Sequence, residues 1–285
     1  MNYNDELEIK ALVKNALKED IGAKDITTDA LIPAGKFVKA VFIAKEDCVV
    51  CGLGVAGLVF QVQDKNIKFK PLVSEGDLVK KGKTLAQISG NARGILTAER
   101  VALNFIGLLC GISTKTRKFV DAVKPYKTKI LDTRKTIPGL RILQKYAVRL
   151  GGGFNHRFSL DEMVLIKDNH LKVSNGYQGL QGLGKVSNDY QVELEVKNLT
   201  EFKEALELKP DIIMLDNMSI KDMKRAVQLR DIFSPVPHQR APKLEASGGI
   251  TLRNVRKVAC TGVDMISVGE LTHSLNSADI SLEIL

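Results

Sequence analysis

The chain has 285 residues, 44% of them hydrophobic, which is enough to bury a substantial core in one large or two ordinary domains. Its net charge is +9, but it has no Trp and only 5% aromatic residues, which argues against single-stranded nucleic-acid binding because such proteins stack bases on aromatic rings. No apolar run approaches the roughly 20 residues that cross a bilayer, and the start is polar and acidic, unlike a signal peptide. We therefore expect a cytoplasmic protein with no membrane partner.

The first hundred residues read as a small sheet domain. An amphipathic helix is predicted over residues 7–20 and ends at Gly22. Small and β-branched residues then fill 36–60, and β-like segments at 67–73 and 85–88 are separated by glycine turn signals.

A long, mostly buried helix is predicted next. Thr97 is the expected N-cap, the helix begins at Ala98, and Pro125 is the latest point at which it can end. In this reading Arg100 lies in the first turn, where a cation opposes the helix dipole. Either an anionic partner or a nearby carboxylate would explain that position, and the sequence does not decide between them.

Positive charge is concentrated between residues 115 and 157. This basic segment carries seven Lys and five Arg against two Asp, a net charge of +10, so the remainder of the chain is nearly neutral. Such a focus attracts a small polyacid, although a nucleic-acid phosphate path would give the same count. Basic clusters at 133–136 and 155–157 flank a helix-like stretch whose own cations are expected to face water: Arg141, Lys145 and Arg149.

The second half of the chain alternates strands and helices. Short apolar runs occur at 192–196, 212–215, 244–246 and 265–268. The segments between them carry helix start signals: Asn198 with Glu201, Ser219 with Asp222, and Thr251. In a β/α barrel the carboxyl ends of all strands meet at one mouth. The residues expected to converge there are Lys167, Glu195, Asp216, Ser247 and Gly269.

These strand ends suit a phosphorylated sugar. Backbone amides at 247–249 and 269–270 can hold phosphate, the first loop with help from the start of the helix after Thr251. Glu195 and Asp216 are acceptors for Mg²⁺ or for sugar hydroxyls, unless they are only salt-bridged strand ends. The planar donors of the basic segment suit the carboxylates of a small polyacid: Arg134, His156 and Arg157.

Six motifs occur together in this chain: ER at 99–100 with LN at 103–104, DTRKT at 132–136 with PGL at 138–140, GGG at 151–153 with NHR at 155–157, IKDNH at 166–170, LDN at 215–217, and EASGGI at 245–250. Their order and spacing resemble the quinolinate phosphoribosyltransferase family over nearly the whole chain. The resemblance implies an α/β fold, with an N-terminal open-faced α/β sandwich at 1–112 and an incomplete (β/α) barrel of the type II phosphoribosyltransferase kind at 113–271. The C-terminal tail, 272–285, can return to the first domain.

The implied reaction joins quinolinate to phosphoribosyl diphosphate, with Mg²⁺, and yields nicotinate mononucleotide, CO2 and diphosphate for NAD synthesis. The implied assembly is a homodimer or a multiple of dimers in which Arg100 reaches the partner's barrel mouth. A pyridine phosphoribosyltransferase that does not decarboxylate, or a nonenzymatic phosphate or nucleic-acid binder, stays open as an alternative.

The resemblance also assigns roles to residues. The quinolinate pocket would consist of Arg134, Lys135, His156 and Arg157, with Thr133 beside it. Lys167 would lie on the diphosphate side, and Glu195 and Asp216 would face ribose and Mg²⁺. The 5′-phosphate would lie on two loops: Ser247, Gly248 and Gly249, and Val268, Gly269 and Glu270. The residues expected to act in catalysis are Lys135, Lys167, Glu195 and Asp216.

Three departures from the family pattern put metal affinity and loop closure in question. Lys197 stands where relatives often carry an acid, Ser159 replaces a frequent glycine, and 234–242 resembles a lengthened loop.

Overall fold

A computed structural model of the chain describes residues 3–174, 176, 189–233 and 241–285. Most of the loop expected between 173 and 190, and residues 234–240 of the proposed lengthened loop, lie outside the described residues. The chain forms two compact units. Unit 1 comprises Met1–Arg117, Thr136–Gly152 and Ser274–Leu285, and unit 2 comprises Lys118–Lys135 and Gly153–His273. The predicted boundary between residues 112 and 113 stays a prediction.

Unit 1 is built on a four-stranded antiparallel sheet with the order β12-β1-β5-β3. Its strands and helices are α1 Tyr3–Ile21, α2 Ile26–Leu31, β1 Phe37–Ala44, β2 Cys48–Val49, α3 Leu53–Gln63, β3 Lys68–Pro71, β4 Leu78–Val79, β5 Thr84–Asn91, α4 Ala92–Val123, α5 Arg141–Leu150 and β12 Ile280–Ile284. The C-terminal strand β12 pairs with β1, and Ala40 lies opposite Ile284. α1 confirms the predicted opening helix, since it buries one stripe and is followed by Gly22 with a φ of 60°.

The sequence reading of residues 36–60 as β-like is wrong for its last part, because Leu53–Gln63 is the helix α3. Gly52, with a φ of 100°, precedes it and has no capping side chain of its own. The cap comes from elsewhere in the sequence: the Glu75 carboxylate accepts the backbone N–H groups of Gly52 at 2.8 Å and Gly54 at 3.2 Å. Two of the backbone donors that begin a helix are thereby satisfied, so apolar residues that would also suit a strand form a helix.

The predicted start of the long helix is also wrong. α4 begins at Ala92, where the Asn91 side chain accepts the backbone N–H of Arg93 at 2.9 Å. Thr97 therefore lies inside the helix and donates its hydroxyl to Asp25 at 3.0 Å. Arg100 is about two turns from the helix start and exposed, so the argument from the helix dipole no longer applies to it.

α4 is long and apolar enough to cross a membrane, contrary to the expectation of no such run. However, 61% of its most apolar stretch is buried, as in the core helix of a soluble protein. Length and composition therefore give only weak support for a membrane span.

The basic segment is divided between the two units. The helix that connects its clusters, α5, belongs to unit 1, whereas residues 118–135 and 153–157 belong to unit 2. The expectation that all three cations of α5 face water is wrong. Lys145 is buried among the apolar residues of the helix, Arg141 is half-buried, and only Arg149 is exposed.

Unit 2 is built on six parallel strands with the order β6-β11-β10-β9-β8-β7. Its strands and helices are β6 Lys129–Leu131, β7 Val164–Ile166, α6 Asp168–Val173, β8 Val192–Val196, α7 Leu199–Glu207, β9 Ile212–Asp216, α8 Ile220–Phe233, β10 Lys243–Ser247, α9 Val255–Ala259, β11 Met265–Ser267 and α10 Glu270–His273. Four apolar side chains from different parts of the unit form one buried cluster: Leu131, Met163, Ile212 and Met265.

The four predicted barrel strands are confirmed, and so are two of the predicted helix caps. The Asn198 side chain accepts two backbone N–H groups at the start of α7. The Ser219 hydroxyl accepts the backbone N–H of Asp222 at the start of α8, at 3.1 Å. The third predicted start is wrong, because α9 begins at Val255 and has five residues. The backbone N–H of Thr251 instead donates to the Asn254 side chain at 2.8 Å.

Candidate active site

The carboxyl ends of the parallel strands bring distant residues together in unit 2. Side chains alternate along a strand, so Glu193 and Glu195 of β8 face the same side. On that side they meet residues from β7, β10 and the loop at 153–157. Lys167 and Glu195, two of the residues predicted to converge, therefore lie together, and two glutamates for which no role was predicted, Glu193 and Glu245, lie around His156.

Two arginines of the basic clusters lie close together. Burial, followed by the neighbouring charge of Arg134, lowers the pKa of the Arg157 guanidinium, and Glu193 opposes that shift. Arg157 donates from Nη1 to the backbone carbonyl of Met163 at 2.8 Å. Its Nε atom is buried and has no hydrogen-bond partner among the described residues. Two adjacent guanidinium groups with a buried donor form a suitable environment for a ligand that carries two negative charges.

His156 is present at this site, but both of its ring nitrogens already have partners in the protein. Nδ1 accepts the backbone N–H of Arg157 at 2.8 Å, and Nε2 lies 2.9 Å from a carboxyl oxygen of Glu193. Because a backbone N–H can only donate, Nδ1 carries no proton and Nε2 carries it. The backbone N–H of His156 donates to the buried Asp132 carboxylate at 2.9 Å. This geometry orients Arg157 and leaves neither ring nitrogen directed at a ligand.

Glu193 and Glu245 form the buried acidic part of the site. Both are fully buried, and His156 Nε2 lies 3.8 Å from Glu245. Burial raises the pKa of each carboxyl group to about 8; Arg157 and Lys167 oppose the shift at Glu193, whereas the charge of Glu193 adds to the shift at Glu245. The sequence signal that could have identified these two residues was a glutamate within each of two apolar strands, β8 and β10.

These two glutamates and His156 also present ligand atoms within 4.8 Å of one another, a spacing that a metal ion would accept. The raised pKa values keep protons on the carboxyl groups near neutral pH, and a protonated carboxyl group is a poor metal ligand. The arrangement is therefore better suited to supporting His156 than to holding an ion.

Lys167 and Glu195 form an ion pair at the ends of β7 and β8, with the ammonium nitrogen 3.3 Å from the carboxylate oxygen. Lys197 pairs with Asp168 at 2.6 Å, and this hydrogen bond lowers the pKa of Asp168 to about 2. The negative charges of Asp168, Glu195 and Asp216 all favour the protonated form of Lys197. An additional cation thus lies near the two carboxylates assigned to metal and ribose.

The first predicted phosphate loop follows β10. Gly248 and Gly249 have φ values of 87° and 60°, which are conformations that side-chain-bearing residues rarely adopt. The Ser267 hydroxyl donates to the Ser247 hydroxyl at 3.0 Å and so joins this loop to β11. The short helix α9 begins six residues after Gly249, so the loop presents backbone amides without the helix terminus expected after Thr251.

Lys135 lies beside the second predicted phosphate loop. A Cβ atom on Gly269 would lie 3.4 Å from the Lys135 side chain. The Thr272 hydroxyl donates to the Lys135 carbonyl at 2.8 Å, and the Thr133 hydroxyl accepts the Lys135 backbone N–H at 3.1 Å. Residues 268–270 follow β11, and Glu270 begins α10. This geometry places Lys135 beside the loop predicted to bind phosphate, whereas the family resemblance assigned Lys135 to the diacid pocket.

Arg100 belongs to unit 1, whereas all other predicted site residues belong to unit 2. Its role across a subunit boundary therefore stays a prediction.

Comparison with known proteins agrees with this geometry. The family model described as "Quinolinate phosphoribosyl transferase, N-terminal domain" matches residues 25–110, and the corresponding C-terminal domain matches residues 112–283. The chain is 42% identical to the nicotinate-nucleotide pyrophosphorylase [carboxylating] of Mycobacterium leprae, over 95% of each chain. It is 39% identical to a quinolinate phosphoribosyltransferase [decarboxylating] of Nicotiana tabacum, over 97% of this chain and 82% of that one.

A solved structure gives the same result for the fold. The nicotinate-nucleotide pyrophosphorylase from Francisella tularensis superposes with a TM-score of 0.91 at 41% identity, over 98% of this chain and 96% of that one. This likeness confirms the predicted fold class. The two matching domain models and the close relatives together show that the chain belongs to the quinolinate phosphoribosyltransferase family.

Proposed function

We propose that this protein transfers the phosphoribosyl group of phosphoribosyl diphosphate to quinolinate, with loss of CO2. The products are nicotinate mononucleotide, CO2 and diphosphate, and the reaction belongs to de novo NAD biosynthesis. The observation that supports this best is the half-buried Arg157 side chain, with its buried Nε atom, whose charge interacts with that of Arg134, because quinolinate is a small planar acid with two carboxylates.

The diacid pocket distinguishes this reaction from transfer to a monoacid. Two neighbouring guanidinium groups repel each other, and burial increases that repulsion. A ligand with two carboxylates neutralises both positive charges, whereas nicotinate, with one carboxylate, would neutralise only one of them. His156 and Glu193 orient Arg157 from behind, so the pocket is organised before the ligand arrives.

The phosphoribosyl diphosphate would occupy the neighbouring strand ends. The glycine loop at 247–249 and the loop at 268–270 hold the 5′-phosphate with backbone amides. Lys135 lies against the second loop, and Lys167 supplies positive charge for the diphosphate. Glu195 and Asp216 accept hydrogen bonds from the ribose hydroxyls.

Mg²⁺ fits this donor set. Glu195 and Asp216 are oxygen ligands of the kind Mg²⁺ takes, one or two carboxylates with the rest supplied by substrate and water. The Lys167 ammonium lies 3.3 Å from the Glu195 carboxylate, and it would pair with the diphosphate where the two carboxylates hold the ion. When bound, the ion would neutralise charge on the leaving diphosphate.

The residues of the chain perform the two steps by orientation and charge. The pocket holds the pyridine nitrogen toward C1 of the ribose, and Lys167 stabilises the diphosphate as the C1–O bond breaks. The nitrogen forms the new bond to C1 and becomes positively charged. The bond from C2 of the ring to its carboxylate then breaks, CO2 leaves, the ring cation stabilises the electron pair on C2, and C2 takes up a proton.

The proposal includes a homodimer, or a multiple of dimers, in a cytoplasmic protein. Arg100 is exposed on α4 and lies in the ER motif that the family resemblance assigns to the site. In a two-fold dimer each barrel would receive Arg100 from its neighbour, because such an interface is reciprocal.

The test follows CO2 from quinolinate labelled in the C2 carboxylate, with phosphoribosyl diphosphate and Mg²⁺. We expect one CO2 and one diphosphate per nucleotide formed, and no turnover of nicotinate. Arg157→Ala should abolish CO2 release, whereas Arg149→Ala, which removes an exposed arginine, should not change it. Nucleotide formation without CO2, or equal turnover of nicotinate, would show that the proposed reaction is wrong.

A further inference from the structure

Asn217 follows Asp216 at the end of β9 and has an unusual backbone conformation. Its φ is 53°, and among the described residues only Lys209 shares a positive φ without being glycine. Asparagine tolerates this conformation better than most residues, so strain alone does not explain why the position carries a side chain.

Asn217 contacts both halves of the proposed phosphoribosyl site. The side-chain amide nitrogen of Asn217 donates to Oδ1 of Asp216 at 3.0 Å, on the ribose and metal side. The backbone N–H of Asn217 donates to the carbonyl of Ser247 at 2.9 Å, which fixes Asn217 to the start of the phosphate loop.

The same amide group also packs against Gly248. A Cβ atom built on Gly248 would lie 2.3 Å from Oδ1 of Asn217 and 2.6 Å from its Nδ2. Gly248 therefore lacks a side chain for two reasons: its φ of 87°, and the asparagine amide that occupies the space. The loop and the amide are in van der Waals contact.

From these contacts we infer that Asn217 is a positioning residue that couples the Asp216 carboxylate to the phosphate loop at 247–249. The inference rests on the proposed function, since it assigns Asp216 to ribose and the loop to the 5′-phosphate. Those two groups are on one substrate, so a fixed distance between carboxylate and loop selects a ribose 5-phosphate of one geometry. Asn217 itself need not touch the substrate.

A simpler role would be to form the turn after β9, and two substitutions separate the roles. Asn217→Gly keeps the backbone N–H and adopts positive φ without cost, so a turn-forming residue could be replaced without loss. Asn217→Asp keeps the shape but replaces the donor to Asp216 by a second carboxylate oxygen. Lys209→Gly is the matched control, because it changes the other positive-φ residue away from the site.

We expect both Asn217 variants to lose at least tenfold in kcat/KM for phosphoribosyl diphosphate, while the Kd for quinolinate stays within twofold. Lys209→Gly should match the unmutated protein in both. Without any ligand, amide hydrogen exchange at Gly248 and Gly249 should be faster in Asn217→Gly. An Asn217→Gly variant with unchanged kinetics and unchanged exchange would overturn the inference.

A double variant tests the packing contact directly. Gly248→Ala should be strongly impaired, and in the Asn217→Gly background the same change should cost less, because the space is then open. Additive losses would show that the contact has no role.

The exchange experiment also separates this inference from the proposed function. Faster exchange in Asn217→Gly, together with an unmutated protein that does not transfer phosphoribosyl to quinolinate, would leave the coupling in place and remove the proposed function. Normal phosphoribosyl transfer by the unmutated protein, with unchanged kinetics and unchanged exchange in Asn217→Gly, would keep the proposed function and remove the coupling.

Discussion

Replacing Glu245 with glutamine should make the protein's stability less dependent on pH. Glu245 is fully buried, lies 3.8 Å from His156 and is close enough to Glu193 for the two charges to repel. Glutamine has the same shape and cannot ionise. The substitution therefore removes one titrating group from the buried part of the site while retaining the packing.

The size of the effect follows from the raised pKa. Burial moves the pKa of Glu245 from 4.5 to about 8. Between these values the folded chain keeps the proton and the unfolded chain has lost it, so the free energy of unfolding falls as pH rises. The slope for one such group is about 1.4 kcal/mol per pH unit, and the loss across the window is on the order of 5 kcal/mol. This contribution is fully present below pH 4.5 and lost by about pH 8.

Urea unfolding at pH 5, 6, 7 and 8, in EDTA, measures this slope. The difference between unmutated protein and Glu245→Gln should grow in favour of the variant as pH rises, by roughly 1 kcal/mol per unit. Glu204→Gln, at an exposed position on α7, should give a difference that does not vary with pH. A constant difference for Glu245→Gln as well would mean that Glu245 is ionised in the folded protein, and that the reasoning is wrong.

Three further predictions concern the substrates. Arg134→Ala and Arg157→Ala should each weaken quinolinate binding in calorimetry by about 2 to 3 kcal/mol and leave phosphoribosyl diphosphate binding much less affected; equal loss of both contradicts the diacid pocket. Asp216→Asn should preserve quinolinate affinity, reduce turnover and raise the Mg²⁺ requirement; an unchanged Mg²⁺ titration with unchanged turnover would remove it from the site. Arg100→Ala and Lys167→Ala should be nearly inactive alone but recover roughly a quarter of full activity when refolded together as random dimers; confirmed mixed dimers without recovery would refute the shared site.

Four strands of unit 2 were predictable because each is a short apolar run followed by polar or glycine residues. Those four strands were confirmed, and so was the convergence of Lys167 with Glu195, because parallel strands place their carboxyl ends together whatever their distance in sequence.

Elements whose determinants are distant in sequence were not predictable. The start of α3 depends on Glu75, more than twenty residues beyond the helix start. The start of α4 was misplaced because Thr97 is as good a cap as Asn91, and only its bond to Asp25 shows that it has another partner.

Charge and strand position predicted the arginines and the strand-end carboxylates as site residues, and those roles stay predictions. The arrangement of the side chains was not predicted. The commitment of both His156 nitrogens to Arg157 and Glu193 was not predicted, since which groups a ring faces depends on the tertiary fold. The contact of Lys135 with Gly269 was not predicted either, because it too depends on the tertiary fold; the family resemblance had assigned Lys135 to the diacid pocket.

The pairing of β12 with β1 has a consequence for synthesis on the ribosome. All strands of unit 2 precede residue 274, so all of them leave the ribosome before residues 280–284 do. The sheet of unit 1 cannot be complete by then, because one edge of β1 stays without its partner until residues 280–284 emerge. An unpaired strand edge invites pairing with other chains. Nascent or truncated chains lacking β12 should therefore be the species that chaperones bind and that aggregate.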